Sequence, residues 1–230
     1  MFKRLRAAAE YDGGRQSEDD RAGRPVDALK TGMMGNEKNI ILASEWIQKM
    51  KVTNVVIDPV IACKGTAQIL QPKSVEGIKN HLLPHGLIAT PNLVEAGILS
   101  GLGDLTTLDE VKEAARLIHQ RGVKNVVVKG GRRFASEKAV DVFYDGKDFE
   151  VLEGEMIATD FNHGAGCTFA AAITAGLAKG MPVLEAVVLA KDFVAAAIKQ
   201  GVAINPHVGH VWHGAYHQAE NRIGQVSNHD

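Results

Sequence analysis

The 230-residue chain is 45% hydrophobic and carries a formal net charge of −1, which suits one medium α/β core and excludes a broad nucleic-acid or polyanion surface. Its only cysteines are Cys63 and Cys167, too few for a disulfide framework, so a reducing compartment is expected. No apolar run approaches the roughly 20 residues that span a bilayer, and the basic stretch Met1 to Ala9 lacks the apolar core of a secretory signal, so the reading is cytoplasmic with no membrane partner.

Residues 1–25, with Asp12-Gly13-Gly14-Arg15 and Glu18-Asp19-Asp20-Arg21, are dense in charge and glycine. Such a composition buries too little surface to offset its ordering entropy and predicts a disordered leader. From Val26 the pattern changes: Val26 to Met33 predicts a short strand ending in a loop. Asn36 is a possible cap for a helix reaching Met50, with Ile40, Ile41, Ile47 and Met50 at helical spacing. Val55-Val56-Ile57 is a continuous β-branched run of the kind covered on both faces, and it leads into Asp58-Pro59-Val60. Pro72 to Leu83 predicts a helix with Pro72 in its first turn. Leu87 to Thr90 predicts a strand ending at Pro91-Asn92, and Leu93 to Leu99 a short helix. Thr107 to Arg121 is amphipathic, with Val111, Ala114, Ala115 and Ile118 on one face and Gly122 as its stop.

Asn125 to Val128 is a third apolar run, ending at Lys129-Gly130-Gly131. The period then becomes two: Val140, Val142 and Tyr144 precede Asp145-Gly146, and Phe149 and Val151 follow it. Asp-Gly between alternating runs predicts an antiparallel ribbon over 139–157. An irregular polar run from Thr159 becomes a glycine turn, then an alanine-rich helix from about Cys167 to Lys179, and a last helix is expected over 182–200. Strands alternating with helices imply a mostly parallel sheet between helical layers, with ligands beyond the carboxyl ends of its strands. Asp58, Thr90, Asn92, Glu95 and Lys129 fall at or just past those ends.

The glycine turn belongs to the same edge. Gly164, Ala165 and Gly166 let backbone amides approach a ligand closely, and the helix that follows adds unpaired first-turn N–H groups and its positive dipole end. That combination suits a phosphate or a developing oxyanion, and it should lower the pKa of the Cys167 thiol. The plain alternative is ordinary packing, since a glycine turn before a helix is common and a lone cysteine is more often a small core residue. Glycines followed by Cys167-Thr168 do not match the phosphate loop that ends in Gly-Lys-Ser/Thr.

Two carboxylates, a lysine, an amide-rich hole and a thiol suit phosphoryl transfer from a metal-bound nucleotide. Asp58 and Glu95 could hold Mg²⁺, Lys129 could neutralise phosphate oxygens, and Cys167 as thiolate could take a proton from an attacking hydroxyl. A second chemistry is acyl transfer by a Cys167 nucleophile with His163 as base, but no third group to orient His163 is evident.

The ordered set Val26 to Met33, Ile57-Asp58-Pro59-Val60, Thr90-Pro91-Asn92-Leu93-Val94-Glu95-Ala96, Val128-Lys129-Gly130-Gly131 and His163-Gly164-Ala165-Gly166-Cys167-Thr168 resembles the hydroxymethylpyrimidine and pyridoxal kinases of the ribokinase-like superfamily. The resemblance implies a three-layer α/β/α sandwich, ATP and Mg²⁺, and transfer of the γ-phosphoryl group to a hydroxymethyl group on a pyridine or pyrimidine ring. It implies that Asp58 and Glu95 serve the metal, that Lys129, Asn92, Glu95, Asn162 and Lys191 serve the nucleotide, and that Gly164, Ala165 and Gly166 form the anion hole. Cys167 takes the place of the catalytic base. The alternative for Lys191 is a solvated helix residue. The Asp145-Gly146 hairpin would be a flap near the nucleotide.

Val208 to Tyr216 looks like the ending of the pyridoxal kinases of Gram-positive bacteria, which favours pyridoxal and its sister vitamers over hydroxymethylpyrimidine. There the expected role of the tail is burial of Trp212, with metal binding by His207, His210, His213 and His217 as the weaker alternative. The resemblance covers a partial domain over residues 26–217, with 218–230 as a tail. The family's first strand, its glycine-rich segment and its Asp near the acceptor hydroxyl have no counterpart before Val26. The expectations are a surviving nucleotide half, impaired acceptor binding and an exposed sheet edge. A nucleotide-binding remnant without catalysis is the non-enzymatic alternative. A homodimer is implied where the full domain is present.

Overall fold

A computed structural model describes residues 26–61, 72–131, 138–159, 161–205 and 208–217; the expected leader, Cys63, His207 and the 218–230 tail lie outside the described residues. Strands β1 (Leu29–Thr31), β2 (Val55–Ile57), β3 (Ile88–Ala89) and β4 (Asn125–Lys129) alternate with helices α1 (Glu37–Met50), α2 (Pro72–Gly77), α3 (Leu93–Ser100) and α4 (Leu108–His119). Then come β5 (Lys138–Tyr144), β6 (Phe149–Glu155), α5 (Ala165–Ala178), α6 (Val183–Lys199), β7 (Val202–Asn205) and β8 (Val208–His210).

Six strands form one sheet in chain order. The first four are parallel and the last two antiparallel. Consecutive parallel neighbours joined by right-handed crossovers put every crossover helix on the same face, so α1 to α4 cover one side. The other side is left for α5 and α6. The burial pattern shows this division residue by residue. Val55, Ile57, Ala89, Val126, Val128 and Val142 pack with Ile40, Leu93, Val111 and Ile118. Val56, Ile88, Val127 and Phe143 pack with Phe169, Ile173, Val187 and Ala190 on the opposite face. The continuous apolar runs read as doubly covered strands are therefore doubly covered, and the α/β/α sandwich follows. Each fully buried Val or Ile contributes on the order of 1.5–3 kcal/mol, so the centre of the sheet anchors the edge where the polar residues gather.

Local chemistry sets the ends of the helices. Asn36 caps α1 by accepting from the Asn39 amide at 3.0 Å. Asn92 with Glu95, and Thr107 with Glu110, form reciprocal capping boxes on α3 and α4. The helix expected over Pro72 to Leu83 is α-helical only to Gly77, then continues as a π turn over Ile78–Leu82 and a 3₁₀ turn over Leu83–His85, where Pro84 removes a donor. The ribbon is present, with Tyr144 paired to Phe149. Its loop has four residues rather than Asp-Gly alone, because the Asp145 carboxylate accepts from the amides of both Lys147 and Asp148 at 2.7 Å.

In the tail, Gly209, Val211 and Ala215 are buried and Trp212 is partly buried, with the Trp212 amide donating to the Ala197 carbonyl at 2.9 Å. Among the described residues no group of three or more His, Cys, Asp and Glu side chains gathers into a metal cluster, and His210 and His213 are engaged elsewhere in the fold. No helix among the described residues is long and apolar enough to cross a membrane.

Candidate active site

Asp58 follows the last residue of β2, Thr90 the last of β3, and Lys129 closes β4, so three adjacent parallel strands deliver three polar side chains to one edge. Asp58 Oδ1 accepts from the Thr90 hydroxyl at 3.2 Å and faces Lys129 Nζ at 3.4 Å. The Asp58 side chain is only 3% exposed, and its other oxygen, Oδ2, is buried with no hydrogen-bond partner. Glu95 arrives on the first turn of α3. Its carboxylate accepts from the Asn92 amide at 2.9 Å and the Ile61 amide at 3.4 Å, while Asn92 Oδ1 accepts from the Glu95 amide at 3.0 Å. Burial pushes the Glu95 carboxyl above its ordinary pKa; Lys129 and the Asn92 amide oppose this and Asp58 reinforces it. The amide of Lys129 donates to the Pro91 carbonyl at 2.8 Å, which locks the Asn92 turn to the end of β4.

The α5 N-terminus meets the same cluster. Gly164 is the N-cap, at φ +84°, a left-handed conformation that disfavours any side chain. The helix begins at Ala165, not near Cys167 as expected, so Ala165, Gly166 and Cys167 form its first turn and only Gly164 is a true turn residue. A Cβ at Gly166 would lie 3.3 Å from Lys129 Nζ, so the lysine ammonium comes close to the first turn of the helix. The Ala165 amide donates to the Asn162 carbonyl at 3.2 Å, and the amides that follow it in the first turn, on Gly166 and Cys167, are free to meet an anion.

Cys167 is exposed as a residue, and its thiol lies near enough to Asp58, Lys30 and Lys129 to feel their charges. The expected lowering of its pKa is overturned: burial pushes the thiol up, and Asp58 adds to this, against the pull of Lys30 and Lys129. Lys30 is a residue that sequence reasoning missed, although it stands inside the Val26 to Met33 stretch. Its register partner, Val56, faces the α5 layer, so Lys30 is placed on the side where Cys167 lies.

Lys191 on α6 is not a solvated helix residue. It pairs with Asp141 Oδ2 at 2.6 Å and donates to the Ala139 carbonyl at 3.3 Å, and its side chain is 14% exposed. Asp141 Oδ1 in turn accepts from the Gly130 amide at 3.1 Å, one residue beyond Lys129. Asp141 was also missed, and its signal was a carboxylate on a strand whose neighbours Val140 and Val142 are core residues. Asp58, Glu95, Lys129, Gly166 and Cys167 are thus brought together; Asn92 and Asn162 stand beside them through their backbones, and Lys191 reaches the group through Asp141.

The sequence pattern of the phosphomethylpyrimidine kinase family matches residues 15–212. The chain belongs to this family. Within it, the chain is 50% identical over 190 residues to the pyridoxine kinase of Bacillus subtilis, covering 83% of this chain and 70% of that protein. The hydroxymethylpyrimidine/phosphomethylpyrimidine kinase of the same organism is 36% identical over 190 residues, at 83% and 70% coverage. The pyridoxal kinase of Staphylococcus aureus, solved with AMP-PCP and pyridoxal, superposes with a TM-score of 0.77 at 45% identity, covering 83% of this chain and 68% of that one. The difference in identity places the chain in the pyridoxal kinase branch of this ribokinase-like family of phosphotransferases, and the fold is theirs.

Proposed function

We propose that the chain transfers the γ-phosphoryl group of ATP to the hydroxymethyl oxygen of pyridoxal, pyridoxine or pyridoxamine. The observation that carries this reading is the convergence of Asp58, Glu95, Lys129 and the first turn of α5 on one sheet edge. That edge belongs to a chain half identical to a pyridoxine kinase. The amides of Gly166 and Cys167 and the ammonium of Lys129 would take the charge of the transferring phosphoryl group. Asn92, Asn162, Glu95 and Lys191 would hold the nucleotide side. Cys167, in the thiolate form that its raised pKa makes the minority species, would receive the hydroxyl proton on Sγ as the oxygen bonds to phosphorus and the bond to ADP breaks.

The residues present fit Mg²⁺: the donors are carboxylate oxygens, and the buried, unpartnered Asp58 Oδ2 is an acceptor that only a cation or a donor can satisfy. Asp58 and Glu95 would hold the ion, which when bound supplies charge neutralisation at the phosphates. A cytoplasmic location, supported by the two cysteines as signs of a reducing compartment, and a homodimer where the full domain is present, as the family resemblance implies, belong to the same reading.

Product formation with pyridoxal and with hydroxymethylpyrimidine at equal ATP–Mg²⁺ tests the assignment. A kcat/KM at least about tenfold higher for pyridoxal, or about 1.4 kcal/mol in transition-state binding, is expected. An equal or reversed preference would move the assignment to the thiamine-type acceptor. ATP binding with no product from either acceptor would favour a non-catalytic nucleotide-binding protein.

A further inference from the structure

The C-terminal strand β8 and the residues after it run alongside the loop that carries the anion turn, and they touch it repeatedly. The His163 amide donates to the Gly209 carbonyl at 3.2 Å, and the Val211 amide donates back to the His163 carbonyl at 3.2 Å. Phe161 packs its ring directly on Gly209. Val211 is 2% exposed, and its Cγ2 is the atom nearest the open side of Gly164, about 4.0 Å from where a Cβ would stand. Two residues on, His213 Nε2 and Thr168 Oγ1 share a hydrogen bond of 2.9 Å, and Thr168 is the buried residue that follows Cys167. The strap is itself held down, because the Trp212 amide donates to the Ala197 carbonyl in the last turn of α6. The His213 ring also stacks near Phe193 of α6, with centroids 6.4 Å apart.

These contacts are spaced to hold a turn in place. Residues 209 and 211 both hydrogen-bond the residue before the N-cap, Val211 lies beside the N-cap, and His213 bonds the residue after the thiol. The N-cap has a left-handed backbone and no side-chain cap hydrogen bond, so the turn that leads into α5 has no side-chain cap of its own to hold it. We infer that the C-terminal strap, residues 208–213, positions the phosphate-facing turn of α5, with the His213–Thr168 hydrogen bond as its pin. His213 is a positioning residue, acting through Thr168, and the inference rests on the nucleotide reading above.

The test uses the full chain with His213→Ala, His213→Gln, Thr168→Val and the double variant His213→Ala/Thr168→Val. Two readouts are taken: calorimetric affinity for AMP-PCP and for adenosine, and amide hydrogen exchange over residues 161–168. One net hydrogen bond corresponds to a change of up to about tenfold in affinity. His213→Ala and Thr168→Val are each expected to weaken AMP-PCP by that order while leaving adenosine within about twofold, since adenosine has no phosphates to meet the turn. Exchange at 163–168 is expected to quicken in both. His213→Gln, which places an amide nitrogen near the position of Nε2, should recover most of the loss, and the double variant should be no weaker than either single one.

Unchanged AMP-PCP affinity in both single variants, or equal losses for AMP-PCP and adenosine, would overturn the inference. Should His213→Ala fail to fold, Thr168→Val and His213→Gln decide it by the same criteria. If the unaltered protein binds no AMP-PCP, the kinase reading fails and the strap is judged on hydrogen exchange alone: faster exchange upholds it and unchanged exchange overturns it.

Discussion

Glu95 is asked to do two things that pull its proton in opposite directions. As the third residue of α3 it closes a capping box, and as a buried carboxylate beside Asp58 it sits where ionisation is disfavoured. Its pKa in the folded chain is raised above the ordinary 4.5, so the folded state holds this proton more tightly than the unfolded state does. The stability it gives is therefore complete below the unfolded pKa and is lost as pH rises through the raised folded value. Glu95→Gln keeps the Asn92 bond through its amide oxygen and cannot ionise. Its melting temperature is expected to match the parent near about pH 4 and to exceed it by a few degrees near about pH 8, while its response to Mg²⁺ is lost. A melting temperature below the parent at both pH values would contradict this.

The Glu95 position was legible in the sequence as a carboxylate just past a strand end. The direction of the Cys167 shift was not, because burial of the thiol, and then Asp58 from another strand, push it up, and only the local helix could be read from the chain order. Lys191 shows the same limit: its partner Asp141 lies 50 residues away and nothing local announces the pair.

At the scale of elements, α4 illustrates how much of a helix is decided in its first turn. Glu110 Oε2 accepts from the Thr106 amide at 2.7 Å, the Thr107 amide at 2.9 Å and the Thr106 hydroxyl at 3.0 Å. These bonds, the Thr106 amide foremost, lower its pKa to about 2. Because the folded pKa is depressed, this contribution is present above the unfolded value and is lost as pH falls toward about 2. Glu110→Ala should lower the melting temperature at neutral pH and have no effect at the acid end of that window. An equal effect at both would place the residue's role outside its charge.

The period-3.6 pattern from Thr107 to the Gly122 stop made α4 readable to within two residues. The start of α5 was less so. Glycine propensity suggested that the turn extends through Gly166, yet Gly166 is helical, with Lys129 Nζ 3.3 Å from where a Cβ would be. That approach from another strand could not be read from local propensity.

For the molecule as a whole, the sheet is the organising fact. Strands of two to five residues in the parallel half are short, but their alternate faces close two separate cores. The carboxyl ends of β2 to β4 therefore have little freedom to move apart. The alternation of runs and the Asp145-Gly146 signal made this architecture visible from the sequence, since each depends on near neighbours. The strap from 208 to 213 was invisible for the opposite reason, as its partners at 161–168 lie in a loop and the first turn of α5, far from it in the chain.

The central claim is that this rigid edge brings a thiol and a phosphate-binding turn to one acceptor hydroxyl. The most direct measurement is ATP-dependent formation of pyridoxal 5′-phosphate by the parent and by Cys167→Ala, with AMP-PCP affinity measured alongside. The account predicts product from the parent, a fall in kcat of at least about a hundredfold in the variant, and AMP-PCP affinity within about twofold of the parent. Turnover by Cys167→Ala at the parent's rate would contradict it.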